Sequence, residues 1–442
     1  MKKYILIIFL IAVNISLSQG DIKTRVVAKN LDTPWEILWG PDNYIWMTER
    51  YGRISRVNPE NGQVIPLITI NDVFEDGERG LMGMVLHPDF ANNPYLFAVY
   101  NYGNDNPSTK VRVIRYKYSD NKLIEPKIII DNIQGWWNHD GSRLWISDDL
   151  KLFVTTGDAS DPNRSQDLSN LNGKILRMNL DGSIPGDNPF PNSYVYSFGH
   201  RNPQGFVIAN GKIYSSEHGP STDDEINIIL AGRNYGWPNV VGYCNTKDEI
   251  DFCQKNNVVE PLYSLTPQGT LAVAGMDYYN NNLIGEWKNS LLVTTLKERR
   301  LVQLKLNSKG DSVTERIDFF NGQYGRLRDL CILPDGRVFI STSNRDGRGS
   351  PVADDDRIIE ISKDPVNSVN KKKDKSEFLI FPNPTTGLLN VELSEISEIY
   401  EISVYNLLGE KLLTLPVASA SVNLNLSDLK TENSEIGFYY VI

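Results

Sequence analysis

Histidine and cysteine are scarce in this chain. Its 442 residues include four histidines, at 87, 139, 200 and 218, and three cysteines, at 244, 253 and 331. No spacing among them suits a zinc or haem site. No strand–GxGxxG–helix unit and no phosphate-binding GxxxxGK[ST] loop is present, so nothing supports a nicotinamide, flavin or nucleotide-triphosphate enzyme. No Gly-x-Ser-x-Gly elbow occurs, which removes the usual serine hydrolase signature. Basic excess is lacking as well. The formal net charge is −10, which argues against a nucleic-acid partner or a polybasic membrane binder. Paired carboxylates for glycoside hydrolysis are not excluded, because acids are abundant. Long helical periodicity is absent.

One apolar run stands out, at the N-terminus. Lys2 and Lys3 precede Tyr4 to Val13, and the small residues Ser16 and Ser18 follow. This order of charged, apolar and small residues reads as a secretory signal peptide over residues 1–18. The run is short for a membrane span, so no integral membrane segment is expected after cleavage. In an exported protein, Cys244 and Cys253 are placed to close a small disulfide loop.

The body is rich in turns and aromatics, with 33 Gly, 23 Pro and 21 Tyr. Apolar residues alternate with a period of two, and the strands are punctuated by Pro-Asp-Asn or Pro-Asp-Gly turns. Six stretches share one strand–turn–strand scheme. They begin at Pro34, Gly80, Ser142, Gly205, Asn289 and Arg328. A spacing of roughly 45 to 70 residues suits four-stranded blades carrying long loops. The expected fold is therefore all-β, a six-bladed propeller over 22–363, with a seven-bladed propeller and a large β-sandwich as the competing arrangements. Propellers place ligand contacts on loops from several blades at one mouth of the channel. Residues 364–377 are polar and charged and read as a linker. Residues 378–442 return to alternating strands, as in a small β-sandwich.

Several groups could carry chemistry. His139, in GWWNHDGSRL, sits where a strand begins and could serve as a general base. His87, in LHPDF, reads as structural. GHRNPQG gathers His200, Arg201 and Asn202 in one turn. EHGPSTDDEIN offers carbonyls at Gly219 and Pro220 beside Asp223, Asp224 and Glu225, a hard-oxygen set suited to Ca²⁺. Asp354 to Asp356 read as a salt-bridged turn.

Taken in order, the blocks ERGLMGMVLHPDF, NHDGSRL, NGKILRMNLDGSIPGDNPF, SFGHRNPQG, SEHGPSTDDEIN, GRNYGWPNV, RLRDL and SNRDGRGSPVADDDRI resemble the soluble glucose/sorbosone dehydrogenases. These are sugar dehydrogenases that depend on pyrroloquinoline quinone (PQQ). The resemblance runs from about Thr33 to Ser362, and its last block looks closer to the aldose sugar dehydrogenase branch. It implies a six-bladed propeller with PQQ at the channel mouth, Ca²⁺ holding PQQ, and oxidation of aldose C1 hydroxyls to lactones with electrons passed to an external acceptor. By the same resemblance, His139 matches the catalytic base, Asp158 the acid orienting it, and Arg201 and Asn202 the groups beside the reacting centre. Lys297, Arg326 and Arg328 match the cations on the PQQ carboxylates. Glu78, Asn138 and Gln166 fall at further cofactor-binding positions. Gly219 and Pro220 match the Ca²⁺ carbonyl donors, with Asp224, Glu225 and Tyr235 near a second, structural Ca²⁺. Three positions depart from the pattern: Asn138 replaces Asp, His218 replaces Gln, and Gln268 falls where an aromatic caps the cofactor.

The tail, with PNPTTG, SVYNLLGEKL and GFYYVI, resembles the C-terminal sorting domain of type IX secretion, with TENSEI where the family has a tighter turn. It implies a secreted or cell-surface protein handled by that machinery. Two other readings stay open on the sequence: a non-catalytic cell-surface propeller that binds carbohydrate or protein, and a Ca²⁺-dependent propeller hydrolase. Convergence of His139, Arg201, Arg326 and Arg328 on one mouth separates the first of these from the enzyme.

Overall fold

The computed structural model describes residues 22–104, 109–266 and 268–363, together with strands between 378 and 441. The signal segment 1–18, the linker 364–377 and the PNPTTG motif lie outside the described residues. Two compact units separate, Met1–Pro365 and Val366–Ile442.

The first unit is the expected six-bladed propeller. Each blade is a four-stranded antiparallel sheet. The first strands of blades 1 to 6 are Pro34–Trp39, Leu81–Leu86, Leu144–Ile146, Pro203–Ala209, Val273–Tyr279 and Leu327–Ile332. Each packs against the first strand of the next blade, and blade 6 returns to blade 1, closing a ring. In five blades these strands and their partners are the hairpins read from the turn signals; in blade 5 the stretch from Asn289 is instead the second and third strands, Ser290–Thr295 and Leu301–Leu306. Blade 6 borrows its outermost strand from the other end of the chain. Ile22–Ala28 pairs antiparallel with Ile358–Lys363, Ile22 opposite Lys363. This pairing leaves no local trace in the sequence.

Every blade-to-blade contact buries its own apolar cluster. Trp46 and Ile54 of blade 1 meet Leu96 and Tyr100 of blade 2. Phe153 and Ile175 of blade 3 meet Phe206 and Ile229 of blade 4. The other four contacts are built alike. Burying one such side chain contributes about 1.5–3 kcal/mol.

A polar rung recurs near the axis. A buried hydroxyl on the second strand donates to a backbone carbonyl on the first strand of the next blade. Thr48 reaches Met82 O at 2.6 Å, Thr155 Pro203 O at 2.8 Å and Ser216 Ala274 O at 2.8 Å. Thr294 reaches Arg328 O at 2.9 Å and Ser341 Pro34 O at 3.3 Å. Blade 2 has Val99 at this register, and there Asn101 reaches Asp140 instead, at 2.7 Å. Removing a hydroxyl leaves a buried carbonyl short of a donor. We expect Thr294→Val to cost about 1–3 kcal/mol in urea unfolding of the propeller transition. Thr294→Ser should be near neutral, and an unchanged midpoint in the valine variant would show that the rung adds no net stability.

One helix goes beyond the all-β expectation. Lys247–Asn256 sits in the insertion before the last strand of blade 4. Its start carries a capping box between Thr246 and Glu249. Cys253 on this helix bonds to Cys244, as expected. The second unit holds two three-stranded sheets. Leu389, Val391 and Leu424 of one and Ile402 and Val404 of the other share a buried core, as a small sandwich requires.

Candidate active site

Strand polarity gathers the site. In each antiparallel blade the start of the first strand and the end of the second lie on the same rim. Loops entering first strands bring Gly77, Glu78, Asn138, His139, Arg201, Ala272 and Arg326. Loops leaving second strands bring Arg50, Gly219, Pro220, Lys297, Asp346 and Arg348. Together with Gln204, His218, Thr270, Leu296 and Arg328 they line a cavity of about 310 Å³.

His139 is set by an unusual backbone. Its φ is +59°, followed by Gly141 at +63° and Ser142 at +76°. Gly157 packs so closely beneath that a Cβ there would lie 1.9 Å from the His139 carbonyl oxygen. The His139 Nδ1 lies 2.8 Å from Asp158 Oδ1. Asp158 is buried, and the Ser160 N–H donates to the same oxygen at 2.9 Å. Because a carboxylate only accepts, Nδ1 carries a proton, and in the neutral ring Nε2 is then the atom with the lone pair. This is the arrangement of an oriented general base.

Asp140, next in sequence, anchors the loop from below. It accepts Asn101 Nδ2 at 2.7 Å and Trp136 N–H at 3.0 Å. Burial pushes its carboxyl up to about 7, with Glu78 adding to the rise and the two hydrogen bonds opposing it. The folded state therefore holds a proton that the unfolded chain releases near pH 4. Stability from this group is present below that pH and is lost as pH rises toward about 7. Comparing urea midpoints, we expect Asp140→Asn to gain on the wild type by about 2–4 kcal/mol between about pH 4 and pH 8. A difference that does not change with pH would contradict this.

The cavity is strongly cationic. Six Arg and Lys side chains line it against two carboxylates, Glu78 and Asp346. Arg326 binds Asp346 at 2.8 Å, and Arg348 binds Glu78 at 2.9 Å. Lys297 Nζ donates to Thr270 Oγ1 at 3.1 Å. Arg328 is buried and donates to Gln204 Oε1 at 3.0 Å. Burial holds its guanidinium down to about 10, with Arg326 and Arg50 adding repulsion and Asp346 and Glu78 opposing it. Burial also lowers Arg201. Among the described residues, Arg201 Nε, Asn202 Nδ2, His218 Nε2 and Arg328 Nε are buried without a hydrogen-bond partner. Burial, then Arg201, His139 and Arg328, holds His218 well below the ordinary histidine range, so that ring is neutral. Six cations in one lining, with unpartnered nitrogens on Arg201 and Arg328, fit a polyanionic ligand of cofactor size.

A buried ion cluster stands behind Gln204 of the cavity wall. Buried Arg143 joins Glu36 at 2.5 Å and Asp329 at 3.1 Å, and its Nε donates to Gln204 O at 2.8 Å.

Of the residues singled out from sequence, Glu78, Asn138, His139, Arg201, Gly219, Pro220, Lys297, Arg326 and Arg328 line this one cavity. Asp158 and Asn202 stand directly behind it. Asn202 Oδ1 accepts Gly141 N–H at 3.0 Å. Gln166, Asp224, Glu225, Tyr235 and Gln268 are not in its lining. Gln166 exchanges hydrogen bonds with Asn234 and donates to Trp237 O at 2.7 Å. Asp224 accepts the N–H groups of Gly219, Leu271 and Ala272 at 2.9, 2.5 and 2.8 Å. It thus braces the turn that carries Gly219 and Pro220. Glu225 and Tyr235 face a small hollow behind that turn, with Glu217. Tyr235 stacks on His200 with ring centroids 4.6 Å apart, and its hydroxyl donates to Ile228 O and accepts Leu230 N–H. Gln268 is exposed and outside the lining. His87 accepts Asp89 N–H in its turn at 3.1 Å, and Asp355 pairs with Arg357 at 2.8 Å. Both fit structural roles.

Sequence reasoning passes over Arg50, Gln204, Thr270, Asp346 and Arg348. Their signal is positional: each sits at the same strand ends as the residues that carry the family blocks.

Known proteins place the chain. Residues 31–352 match the family model for glucose/sorbosone dehydrogenases, and residues 379–441 match that of the secretion system C-terminal sorting domain. Quinoprotein glucose dehydrogenase B of Acinetobacter calcoaceticus is 32% identical over 430 residues, 77% of this chain and 89% of that protein. Aldose sugar dehydrogenase YliI of Escherichia coli is 30% identical over 344 residues, 74% of this chain and 92% of that protein. The PQQ-bound aldose sugar dehydrogenase of Streptomyces coelicolor superposes with a TM-score of 0.68 at 31% identity, covering 78% of this chain and 98% of that one. The cationic cavity, the oriented histidine and the six blades thus belong to a member of the glucose/sorbosone dehydrogenase family.

Proposed function

We propose that the protein is an exported, PQQ- and Ca²⁺-dependent aldose dehydrogenase that oxidises the C1 hydroxyl of a sugar to a lactone and passes the electrons to an external acceptor. The observation that carries this reading is the meeting, in one cavity, of an oriented histidine and six cations, with unpartnered nitrogens on Arg201 and Arg328. A binding propeller would need neither a held tautomer nor buried, poorly solvated arginines.

PQQ carries three carboxylates, and Lys297, Arg326 and Arg328 would hold them, with Arg201 and Asn202 nearer the reacting centre. The carbonyls of Gly219 and Pro220 supply hard oxygens for Ca²⁺, and Asp224 keeps their turn in shape. When bound, PQQ with its Ca²⁺ supplies a polarised two-electron acceptor for the hydride leaving sugar C1. His139 Nε2 takes the hydroxyl proton, Asp158 stabilises the resulting imidazolium, and the sugar is left as its lactone. Glu78 and Asn138 stand on the wall beside His139, where they would hydrogen-bond ring hydroxyls or the cofactor. Asp224, Glu225 and Tyr235 remain a proposed neighbourhood for a structural cation.

The sorting domain supports export through type IX machinery to the surface or medium. We take 22–363 as the catalytic propeller, 364–377 as the linker and 378–442 as the sorting domain.

The test is an aldose panel with protein reconstituted with PQQ and Ca²⁺, using dye reduction, product identification and C1-deuterated substrate. Lactone formation with a primary isotope effect is expected. No oxidation of any aldose by protein that has taken up PQQ would reject the reading.

A further inference from the structure

Trp237 touches three parts of the site without lining its cavity. Its indole Nε1–H donates to Asp158 Oδ2 at 2.9 Å. The other carboxylate oxygen, Oδ1, already serves His139 Nδ1 and the Ser160 N–H. With both oxygens engaged, the carboxylate of Asp158 cannot rotate about its last bond without losing a bond in a buried setting. The Arg201 guanidinium lies 5.4 Å above the same indole ring. Trp237 is itself clamped at both ends of its peptide unit. Its N–H donates to Gly199 O at 3.0 Å, and its carbonyl accepts Gln166 Nε2 at 2.7 Å. Gln166 is fixed in turn by its reciprocal pair with Asn234.

We propose that Trp237 is a positioning residue for the base: with Gln166 behind it, it locks the Asp158 carboxylate so that His139 is held with its proton on Nδ1 and Nε2 free. The proposal rests on His139 acting as the base. A histidine side chain free in water favours the opposite tautomer, with the proton on Nε2, which cannot accept the sugar proton. Asp158 alone could fix the tautomer only while it keeps its orientation, and the indole supplies that orientation. Phenylalanine at 237 keeps an aromatic face beneath Arg201 and removes only the N–H that Asp158 accepts. Gln166 thereby buttresses the indole instead of reaching into the cavity.

The test uses the full chain labelled with ¹⁵N-histidine, without cofactor, at a pH where the rings are neutral. The His139 signals are identified by their loss in His139→Asn. In wild type, Nε2 of His139 should show as a lone-pair nitrogen. In Trp237→Phe a substantial fraction should move to the protonated form. Asp158→Asn should do the same, and adding Trp237→Phe to it should change nothing more. In reconstituted enzyme, kcat should fall about tenfold, or about 1.4 kcal/mol, with the sugar KM nearly unchanged. Gln166→Ala should shift the tautomer in the same direction by less. It decides the matter if the phenylalanine variant does not fold. A wild-type His139 spectrum in the folded variant, or an undiminished effect in the Asp158→Asn background, overturns the proposal. Because the spectra need no turnover, a failed dehydrogenase assay and a failed tautomer shift are told apart.

Discussion

His139→Ala should lose a factor of about 10²–10⁴ in kcat while keeping its affinity for PQQ. The imidazole lies on the cavity wall and is oriented as a base by a buried carboxylate. Its Nδ1 is tied to buried Asp158, and its Nε2 is left for the substrate. Its side chain is 16% exposed, so deleting it opens space on the cavity side and little of the packed core. The cations proposed to hold PQQ come from blades 5 and 6, away from the loop that carries residue 139. The left-handed backbone at this position is a second consideration. Alanine tolerates it poorly and asparagine tolerates it well. His139→Asn is therefore the matched control: an equal loss of turnover with wild-type unfolding assigns the loss to the base and not to the loop. A variant that turns over normally would remove His139 from the mechanism.

Arg328→Met should weaken PQQ binding by about 10²–10³-fold, as removal of one member of a buried charge pair does. In the unloaded protein this side chain is a liability. It is buried, one of its nitrogens lacks a partner, and its guanidinium is held down to about 10. Keeping it charged there costs a few kcal/mol, and an incoming carboxylate relieves that cost. Two effects of opposite sign follow. Without cofactor, the methionine variant should unfold at the same temperature as wild type or higher. With saturating PQQ and Ca²⁺, the wild type should gain stability and the variant should gain much less. A variant that is destabilised when unloaded, yet binds PQQ as well as wild type does, would make Arg328 a structural residue.

How much of this is legible in the sequence follows from what is local. In five blades the inner two strands are joined by Pro-Asp, Asp-Asp or Asn-Gly turns, so alternation and turn residues expose them; in blade 5 residues 280–289 separate them, and the sequence shows its second and third strands instead. Outer strands such as Tyr263–Ser264 are brief or follow long insertions, and their pairing is decided by the neighbouring strand. The closing strand Ile22–Ala28 is determined by partners more than 300 residues away. The helix at Lys247–Asn256 has a readable start in Thr246 and Glu249, but ten residues give too short a period to stand out.

In the site, the resemblance locates residues whose identity the proposed chemistry forces: a histidine proposed as the base, a carboxylate behind it, and arginines proposed to face an anion. Arg50, Arg348 and Asp346 look like ordinary charged turn residues until the rim is assembled. Gln166 and Tyr235 show the opposite case. Their side chains could contact a ligand, and in the fold their hydrogen bonds are taken by Trp237, Asn234, Ile228 and Leu230. Trp237 lies in the segment GRNYGWPNV with nothing in the sequence to say that its N–H meets Asp158 across 79 positions.

The central claim is that this cavity becomes a sugar-oxidising site by taking up PQQ with Ca²⁺. Its most direct test is a reconstitution titration of the metal-free, cofactor-free full chain, with uptake of PQQ and aldose-dependent dye reduction followed together. The account predicts that activity rises in proportion to bound PQQ, levels at one per chain, requires Ca²⁺ and is absent from His139→Ala at equal loading. A folded protein that neither takes up PQQ nor reduces dye, at any Ca²⁺ concentration, would contradict it.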